Sequence, residues 1–213
     1  MSDSPLLDYD LARGVRLIAG ADEVGRASFA GPIMAAAVLF DLVRLDSGPG
    51  LDLLESVKDS KRLGRATRER LADAVFVHAD AVALVSIPAS EIDRIGIDAA
   101  NAACLERALR AAGEHAELRL VDGDGRRPLG DGAPAHEWVR QGDGTSATIA
   151  AASIVAKVAC DRVMVRLGEH HPEYGFERHA GYGTKKHRAA IVKHGPIPEH
   201  RRSVKSDCFD GWF

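Results

Sequence analysis

The sequence predicts an α/β protein with a mixed β-sheet, and three features of its pattern support this prediction. Short apolar runs of strand length alternate with longer segments of helical periodicity. The first two runs, residues 15–21 and 33–40, are separated by glycines and a proline typical of turns, which favours an antiparallel hairpin. The chain of 213 residues shows no internal repeat and no low-complexity linker, so we expect one domain.

The strands are expected where apolar runs are short and meet turn residues. They are predicted at residues 15–21, 33–40, 81–87, 118–121 and 137–139. The third run ends at Pro88, and the fourth runs directly into Asp122-Gly123. A charged, glycine-rich loop is expected to continue from there to Pro134. Residues 45–54 are also predicted to form a loop because the sequence Ser47-Gly48-Pro49-Gly50 is typical of turns.

The helices are expected where apolar and polar residues alternate at helical spacing. They are predicted at residues 65–78, 98–113, 145–167 and 187–193, with a shorter helix capped by Ser90. Gly113 ends the second of these, and Gly195-Pro196 ends the last. The tail after Pro198 is predicted to be irregular.

Composition argues against several classes of protein. No apolar run reaches the roughly 18 residues that a membrane helix needs. The first ten residues carry neither a basic start nor an apolar signal core, so we expect a cytoplasmic protein. The three cysteines are widely separated and form no CxxC pair, which argues against a zinc site or a disulfide framework.

The net charge of −3 conceals an uneven distribution. Residues 151–213 carry eleven Lys and Arg against seven Asp and Glu, whereas residues 1–150 carry 24 acids against 17 bases. The acidic part could hold metal ions and the basic part could contact phosphates. On composition alone, it is equally open that the two parts differ in charge by chance.

Four acids lie where a predicted strand ends or a predicted helix begins: Asp22, Glu23, Asp122 and Asp143. Reactive groups of α/β proteins gather at such strand ends, and carboxylates are preferred ligands of hard divalent cations. An acid at a strand end is also commonly a solvated turn residue, and Asp143 could simply stabilise a helix N-terminus. The spacing by itself therefore leaves open whether the four converge.

A set of motifs resembles the type 2 ribonucleases H, in family order and over residues 17–203. The matching segments are residues 19–26 with 30–32, 58–61, 121–123, 142–143, 151–158 with 161–162, 181–187, and 195–196 with 200–203. Each segment alone is a weak signal. Together and in order they are highly specific, and they favour convergence of the four acids.

The resemblance implies an RNase H-like fold, with a mixed five-stranded sheet flanked by helices and a small helical C-terminal extension. The catalytic core would span about residues 15–170 and the extension about residues 171–213 of a single domain. Asp22, Glu23, Asp122 and Asp143 would bind two Mg²⁺ or Mn²⁺ ions. The reaction would be endonucleolytic hydrolysis of the RNA strand of RNA–DNA hybrids, or of ribonucleotides embedded in duplex DNA. It would leave 3′-hydroxyl and 5′-phosphate ends, and a monomer is expected.

The resemblance also implies how the substrate is read. The segment Gly25-Arg26-Ala27 would sense the ribose 2′-hydroxyl through its backbone, and Tyr182 would stack on the following deoxyribose. The family pattern has glycine where Ala27 stands. A methyl group there could crowd the sugar or bar a positive φ, so we predict weaker activity on a single embedded ribonucleotide than on longer hybrids.

Candidate phosphate contacts are Lys61, Lys157, Lys185 and Arg201, although each could be a solvated surface charge. On an ideal helix Ser153 and Lys157 share the face that starts near Asp143, so both could flank the strand leaving the metals. Asp161 could brace that helix by pairing with Lys157 or Arg162. His187 and His200 could be considered as metal ligands, but they are expected to have a structural role because the carboxylates already suffice.

Two further alternatives concern the tail and the activity. Phe209, Trp212 and Phe213 are expected to pack on the body of the protein, although they could instead form a peptide that docks to a replication clamp. A catalytically weak protein that binds hybrids or junctions is the alternative function. A Mg²⁺ phosphotransferase of another class is remote because the chain has no GxxxxGK[ST] loop.

Overall fold

A computed structural model describes residues 4–45, 48–57 and 64–212. Its centre is one five-stranded sheet whose strands are β1 (Leu17–Val24), β2 (Ile33–Asp41), β3 (Ala81–Ile87), β4 (Leu118–Asp122) and β5 (Glu137–Val139). The spatial order is β3-β2-β1-β4-β5. Strand β2 runs antiparallel to both β1 and β3, whereas β4 runs parallel to β1 and β5 parallel to β4. The predicted mixed sheet with an opening hairpin is therefore confirmed.

Helices cover both faces of this sheet. They are α1 (Pro5–Leu11), α2 (Pro49–Ser56), α3 (Arg65–His78), α4 (Ala89–Ile95), α5 (Ile97–Ala112), α6 (Ala147–His170), α7 (Phe176–His179) and α8 (Lys185–His194), with 3₁₀ turns at Gly142–Gly144 and Asp207–Phe209. Successive residues of a strand point to opposite faces. Accordingly, Ile18 of β1 packs in the cluster formed with α6, and Ala19 and Ala21 pack in the cluster formed with α5. None of the helices in these described ranges is long and apolar enough to cross a bilayer.

The C-terminal extension has a hydrophobic cluster of its own. Tyr174, Phe176 and Ile191 of the extension are buried together with Met34 of β2 and Met164 of α6. The predicted extension is thus anchored on the second strand and the longest helix. The three cysteines are buried and free of disulfides.

Two predictions of local structure were wrong, and one helix was not predicted. Residues 49–56 form helix α2 and not a loop, because Gly48-Pro49 begins a helix here and Leu53 and Leu54 are buried. Ser90 lies inside the first turn of α4 and does not cap it, because Pro88 occupies the N-cap position. The sequence pattern also did not indicate α1, which is capped by the side chain of Ser4.

Helix α6 approaches strand β1 so closely that only glycine fits between them. A Cβ placed on Gly20 would lie 2.6 Å from the backbone carbon of Thr148 and 2.6 Å from the backbone nitrogen of Ile149. Both atoms are backbone and cannot rotate away. The first turn of α6 therefore rests directly on β1, two residues before Asp22.

The same turn of α6 is capped by a carboxylate from α1. The buried Oδ2 of Asp10 accepts hydrogen bonds from the backbone nitrogen of Thr148 at 2.8 Å and from its hydroxyl at 2.7 Å. Burial raises the pKa of Asp10, while its hydrogen bonds to Ser146 and Thr148 act in the opposite direction. An acceptor at this position satisfies an otherwise unpaired helix donor and opposes the positive end of the helix dipole.

We expect Asp10→Ala to lower the free energy of unfolding by about 2–3 kcal/mol, because it leaves the buried amide of Thr148 without an acceptor. Urea denaturation followed by circular dichroism measures the change. Asp131→Ala removes an exposed carboxylate from the loop after β4 and should stay within about 0.5 kcal/mol of the native protein. Equal losses in the two variants would contradict this role of Asp10.

Candidate active site

Two parallel strands, β1 and β4, bring the acids of the site to one end of the sheet. Ala21 of β1 lies opposite Val121 of β4, so Asp22 and Asp122 follow at neighbouring positions. Glu23 is the next residue of β1. Carboxylate oxygens of Asp22, Glu23 and Asp122 all lie within 4.8 Å of one another. This spacing suits ligands of a shared divalent cation.

Asp143 reaches the same place from the 3₁₀ turn that precedes α6. The backbone nitrogen of Gly142 donates a hydrogen bond to Oδ1 of Asp122 at 2.6 Å, which ties this turn to the end of β4. The buried Asp143 lines a cavity of about 330 Å³ together with Glu23 and Asp122. Within the described residues, three carboxylates contribute oxygens to the group in which all atoms lie within 4.8 Å of one another. Asp143 lies beside this group, in the wall of the cavity.

Burial and the negative charge of its neighbours dominate the electrostatics of Asp22. Burial, followed by the charges of Glu23 and Asp122, raises the pKa of Asp22 well above its usual value. Hydrogen bonds from the Ser153 hydroxyl and from the backbone nitrogen of Glu23, the latter at 2.7 Å, oppose this shift. A divalent cation would relieve the repulsion between these acids, so the donor set fits such an ion.

The segment after β1 forms a tight turn beside these acids. The backbone nitrogen of Ser28 donates to the carbonyl oxygen of Gly25 at 3.2 Å, and Gly25 has a φ of 84°. Ala27 is exposed, and it is not among the described residues with positive φ. The conformational objection to alanine at this position was therefore wrong, and only the steric effect of its methyl group is left.

Ala27 and Tyr182 line a cleft of about 250 Å³ that also contains Asp22, Ser153 and Lys157. The side chain of Tyr182 is 42% exposed, so its ring is accessible to a ligand. Backbone contacts join the tyrosine segment to the turn after β1: Tyr182 bridges Ser28 and the nitrogen of Phe29 donates to the carbonyl oxygen of Gly181 at 2.8 Å. The extension thus completes the cleft.

Arg201 does not lie where a phosphate contact was predicted. Its side chain is 1% exposed, and its guanidinium donates to the carbonyl oxygens of Arg26 at 3.0 Å, Gly31 at 3.0 Å and Pro32 at 2.9 Å. Burial lowers its pKa to about 10, which still leaves the group charged at neutral pH. The structure corrects the prediction because these donors are occupied by backbone acceptors of the loop between β1 and β2.

The other predicted cations lie in different surroundings. Lys157 lines the cleft and forms an ion pair of 2.6 Å with Asp161, one of the two partners considered for that acid. Arg26 lines the cleft and forms an ion pair with Asp98. Lys185 is exposed at the start of α8 and lines a separate cavity with Tyr174. Lys61 falls outside the described residues.

The sequence analysis missed several residues that line the cavity at Asp122: Asn101, Arg127, Trp138 and Arg140. Asn101 comes from the middle of α5, and the two arginines come from loops at either side of β5. Charge in the glycine-rich loop was visible in the sequence. The direction in which these side chains point depends on the loop path, which no local pattern specifies.

Within the described residues, the two histidines and Phe209 follow the structural expectation, whereas Trp212 does so only in part. Phe209 is buried in the cluster of the extension, whereas Trp212 is 51% exposed. His187 and His200 are buried and hydrogen-bonded to each other. Phe213 falls outside the described residues.

Comparison with known proteins gives a consistent result in sequence and fold. A ribonuclease HII from Ruegeria pomeroyi is 46% identical over 204 residues, covering 93% of this chain and 82% of that protein. The fold resembles ribonuclease H2 from Pyrococcus horikoshii OT3, with a TM-score of 0.74, 24% identity and coverage of 91% of this chain and 95% of that one. It also resembles RNase HII from Archaeoglobus fulgidus, solved in complex with PCNA, with a TM-score of 0.67, 22% identity and coverage of 87% and 92%.

The family assignment rests on a match along most of the chain. A family model described as Ribonuclease HII matches residues 19–207, a range that includes all four acids and Tyr182. The chain belongs to the ribonuclease HII family.

Proposed function

We propose that this chain hydrolyses the RNA strand of RNA–DNA duplexes with two divalent cations, Mg²⁺ or Mn²⁺, held by Asp22, Glu23, Asp122 and Asp143. Family membership supports a metal-dependent endoribonuclease of the ribonuclease H type. The observation that carries the proposal is the convergence of carboxylates from β1 and β4 at one end of the sheet, with Asp143 in the same cavity.

Hydrogen bonds hold two of the proposed metal ligands in place. When bound, two such cations lower the pKa of the attacking water and stabilise the charge that develops on the leaving 3′-oxygen. Asp22 is fixed from two sides, by the Ser153 hydroxyl and by the backbone nitrogen of Glu23. Asp122 is fixed by the backbone nitrogen of Gly142. Ligands held in this way need little reorganisation when the cations and substrate bind.

The cleft of about 250 Å³ supports a route for the RNA strand past these acids. The backbone of the turn from Gly25 to Ala27 is the element we assign to the 2′-hydroxyl, since a hydroxyl is recognised by hydrogen bonds and a turn presents backbone groups to it. The exposed ring of Tyr182 offers a stacking surface at the other wall. We assign Lys157, which lines the same cleft, to a phosphate of this strand.

The substrate therefore has a ribonucleotide at the acids, either within an RNA–DNA hybrid or alone in duplex DNA. Water adds to the phosphorus and the bond between the phosphorus and the leaving 3′-oxygen breaks, which gives 3′-hydroxyl and 5′-phosphate ends. The alternative of a catalytically weak hybrid-binding protein is not favoured, because all four acids line the cavity or the adjoining cleft.

We further infer a cytoplasmic monomer. The alternative for the tail is a clamp as its partner, since the archaeal relative was solved in complex with PCNA. In this chain Phe209 is buried, which favours packing of the tail on the body over its use as a free docking peptide.

The proposed activity is tested with a labelled RNA–DNA hybrid. We expect cleavage of the RNA strand with Mg²⁺ or Mn²⁺ and none with EDTA, and the products should carry 3′-hydroxyl ends that a polymerase extends. Matched DNA–DNA and RNA–RNA duplexes should stay intact. Cleavage in EDTA, or no cleavage with either ion, would refute the proposal.

Asp122→Asn should separate metal binding from folding. The amide keeps an oxygen that can accept from Gly142 but loses the charge, so cleavage should fall by about a thousandfold or more. Without metal, the variant should be more stable to urea by about 0.5–2 kcal/mol, because one of the charges repelling Asp22 is gone. A less stable variant would show that these carboxylates do not strain the metal-free fold.

Ala27→Gly tests the substrate preference. Removal of a methyl group that lines the cleft should raise kcat/KM on a single embedded ribonucleotide relative to kcat/KM on a long hybrid. Ala135→Gly makes the same change in an exposed loop and should leave the ratio as it is. If the ratio is the same for Ala27→Gly and for the native chain, Ala27 does not set the preference.

A further inference from the structure

Two buried histidines of the C-terminal extension have no part in the proposed chemistry. His187 of α8 is 0% exposed and His200 is 1% exposed. The rings of Tyr174, Phe176 and Phe209 surround them. Two imidazoles in such an apolar cluster need a reason, because burial of polar rings is costly unless each nitrogen is hydrogen-bonded.

The hydrogen bonds of the pair determine where each proton lies. The backbone nitrogen of Ile197 donates to Nδ1 of His200 at 2.9 Å, so that nitrogen is an acceptor and the proton of His200 is on Nε2. Nε2 of His200 lies 3.1 Å from Nε2 of His187, which must then accept. The proton of His187 is therefore on Nδ1, and it donates to the carbonyl oxygen of Tyr182 at 2.9 Å.

This directional chain requires that both rings be neutral. Burial lowers the pKa of His187 and of His200 to about 4, so neither ring is charged at neutral pH. All four ring nitrogens then have partners. The two neutral, fully hydrogen-bonded rings therefore form a rigid connector between the backbone segments that they contact.

The two ends of the connector lie on the two walls of the cleft. At one end His187 holds the backbone of Tyr182, whose ring is exposed. At the other end His200 bridges Ala30 and is followed by Arg201, which holds the carbonyl oxygen of Arg26. Direct backbone contacts of Ser28 and Phe29 with the tyrosine segment hold the two walls together, and the contact between the two imidazoles is a second link between them.

We propose that His187 and His200 are positioning residues for Tyr182, which set the place of its ring relative to the turn that reads the ribonucleotide. This inference rests on the proposed function, because it assumes that Tyr182 contacts the substrate. A ring displaced by about 1 Å can cost up to about a hundredfold in rate, so a connector that fixes it has a measurable effect.

Two variants of His187 separate positioning from packing. The amide nitrogen of His187→Asn falls near Nδ1 of the imidazole, so this variant can still donate to Tyr182. The amide of His187→Gln falls near Nε2, so this variant can meet His200 but loses the bond to Tyr182. We expect His187→Gln to lower kcat/KM on a single embedded ribonucleotide about tenfold, mainly through a higher KM, and His187→Asn to stay within about threefold of the native chain.

A double-mutant cycle with Tyr182→Ala completes the test. If His187 acts through the tyrosine, His187→Gln should have little further effect in the Tyr182→Ala background. His194→Asn, an exposed histidine of the same helix, should change neither parameter. Melting temperatures identify variants that merely lose folded protein, which would lower kcat and leave KM as it is.

Three results would overturn the inference. One is an equal fall for His187→Asn and His187→Gln, and another is an undiminished effect of His187→Gln without the tyrosine. The third is full activity of Tyr182→Ala, which would remove the role of the tyrosine while leaving the ribonuclease activity itself established. Absence of metal-dependent cleavage by the native chain would instead refute the proposed function.

Discussion

The close contact between β1 and the first turn of α6 is the constraint on which the site depends. Gly20 permits this contact, since any larger side chain would meet the backbone of Thr148 and Ile149. The contact fixes the start of α6, and Asp10 caps the same turn through Thr148. Asp143, only a few residues upstream, is thereby confined to the end of the sheet where β1 and β4 deliver Asp22 and Asp122. Acids separated by some 120 residues meet because two backbones can touch at one glycine.

A second constraint joins the C-terminal extension to the loop between β1 and β2. Arg201 places a charged group among carbonyl oxygens, where its several donors suit several acceptors and its high pKa keeps it charged despite burial. His187 and His200 use neutral rings where the partners are single atoms in an apolar cluster. The two interactions differ because one guanidinium donates to several carbonyl oxygens of a loop, whereas each imidazole nitrogen contacts a single atom.

Local patterns predicted the sheet and placed the acids at strand ends, whereas only the family resemblance favoured the convergence of the acids. Apolar runs gave β3 and β5 their observed bounds, and the position of acids at strand ends indicated the cavity. Arg201 was misjudged because a buried arginine and a surface arginine look the same in sequence; only the positions of distant carbonyl groups tell them apart. Asp10 was missed for the same reason, since its partner Thr148 lies 138 residues away. Helix α2 was missed because Gly-Pro serves equally as a turn and as a helix start.

Three cations close to the cleft are engaged by other groups and not by the acids of the site. Lys157 is paired with Asp161, Arg26 with Asp98, and Arg201 with backbone carbonyls. The groups that act on Asp22 are two carboxylates, a hydroxyl and a backbone amide, so its raised pKa reflects repulsion that no side-chain cation among them offsets. A lysine or arginine turned into this cluster would stabilise the metal-free fold and compete with a divalent cation for the same oxygens. Lys157 and Arg26, the two cations that line the cleft, are instead paired with other acids, and under the proposed function the charge of the carboxylates is available to bind divalent ions.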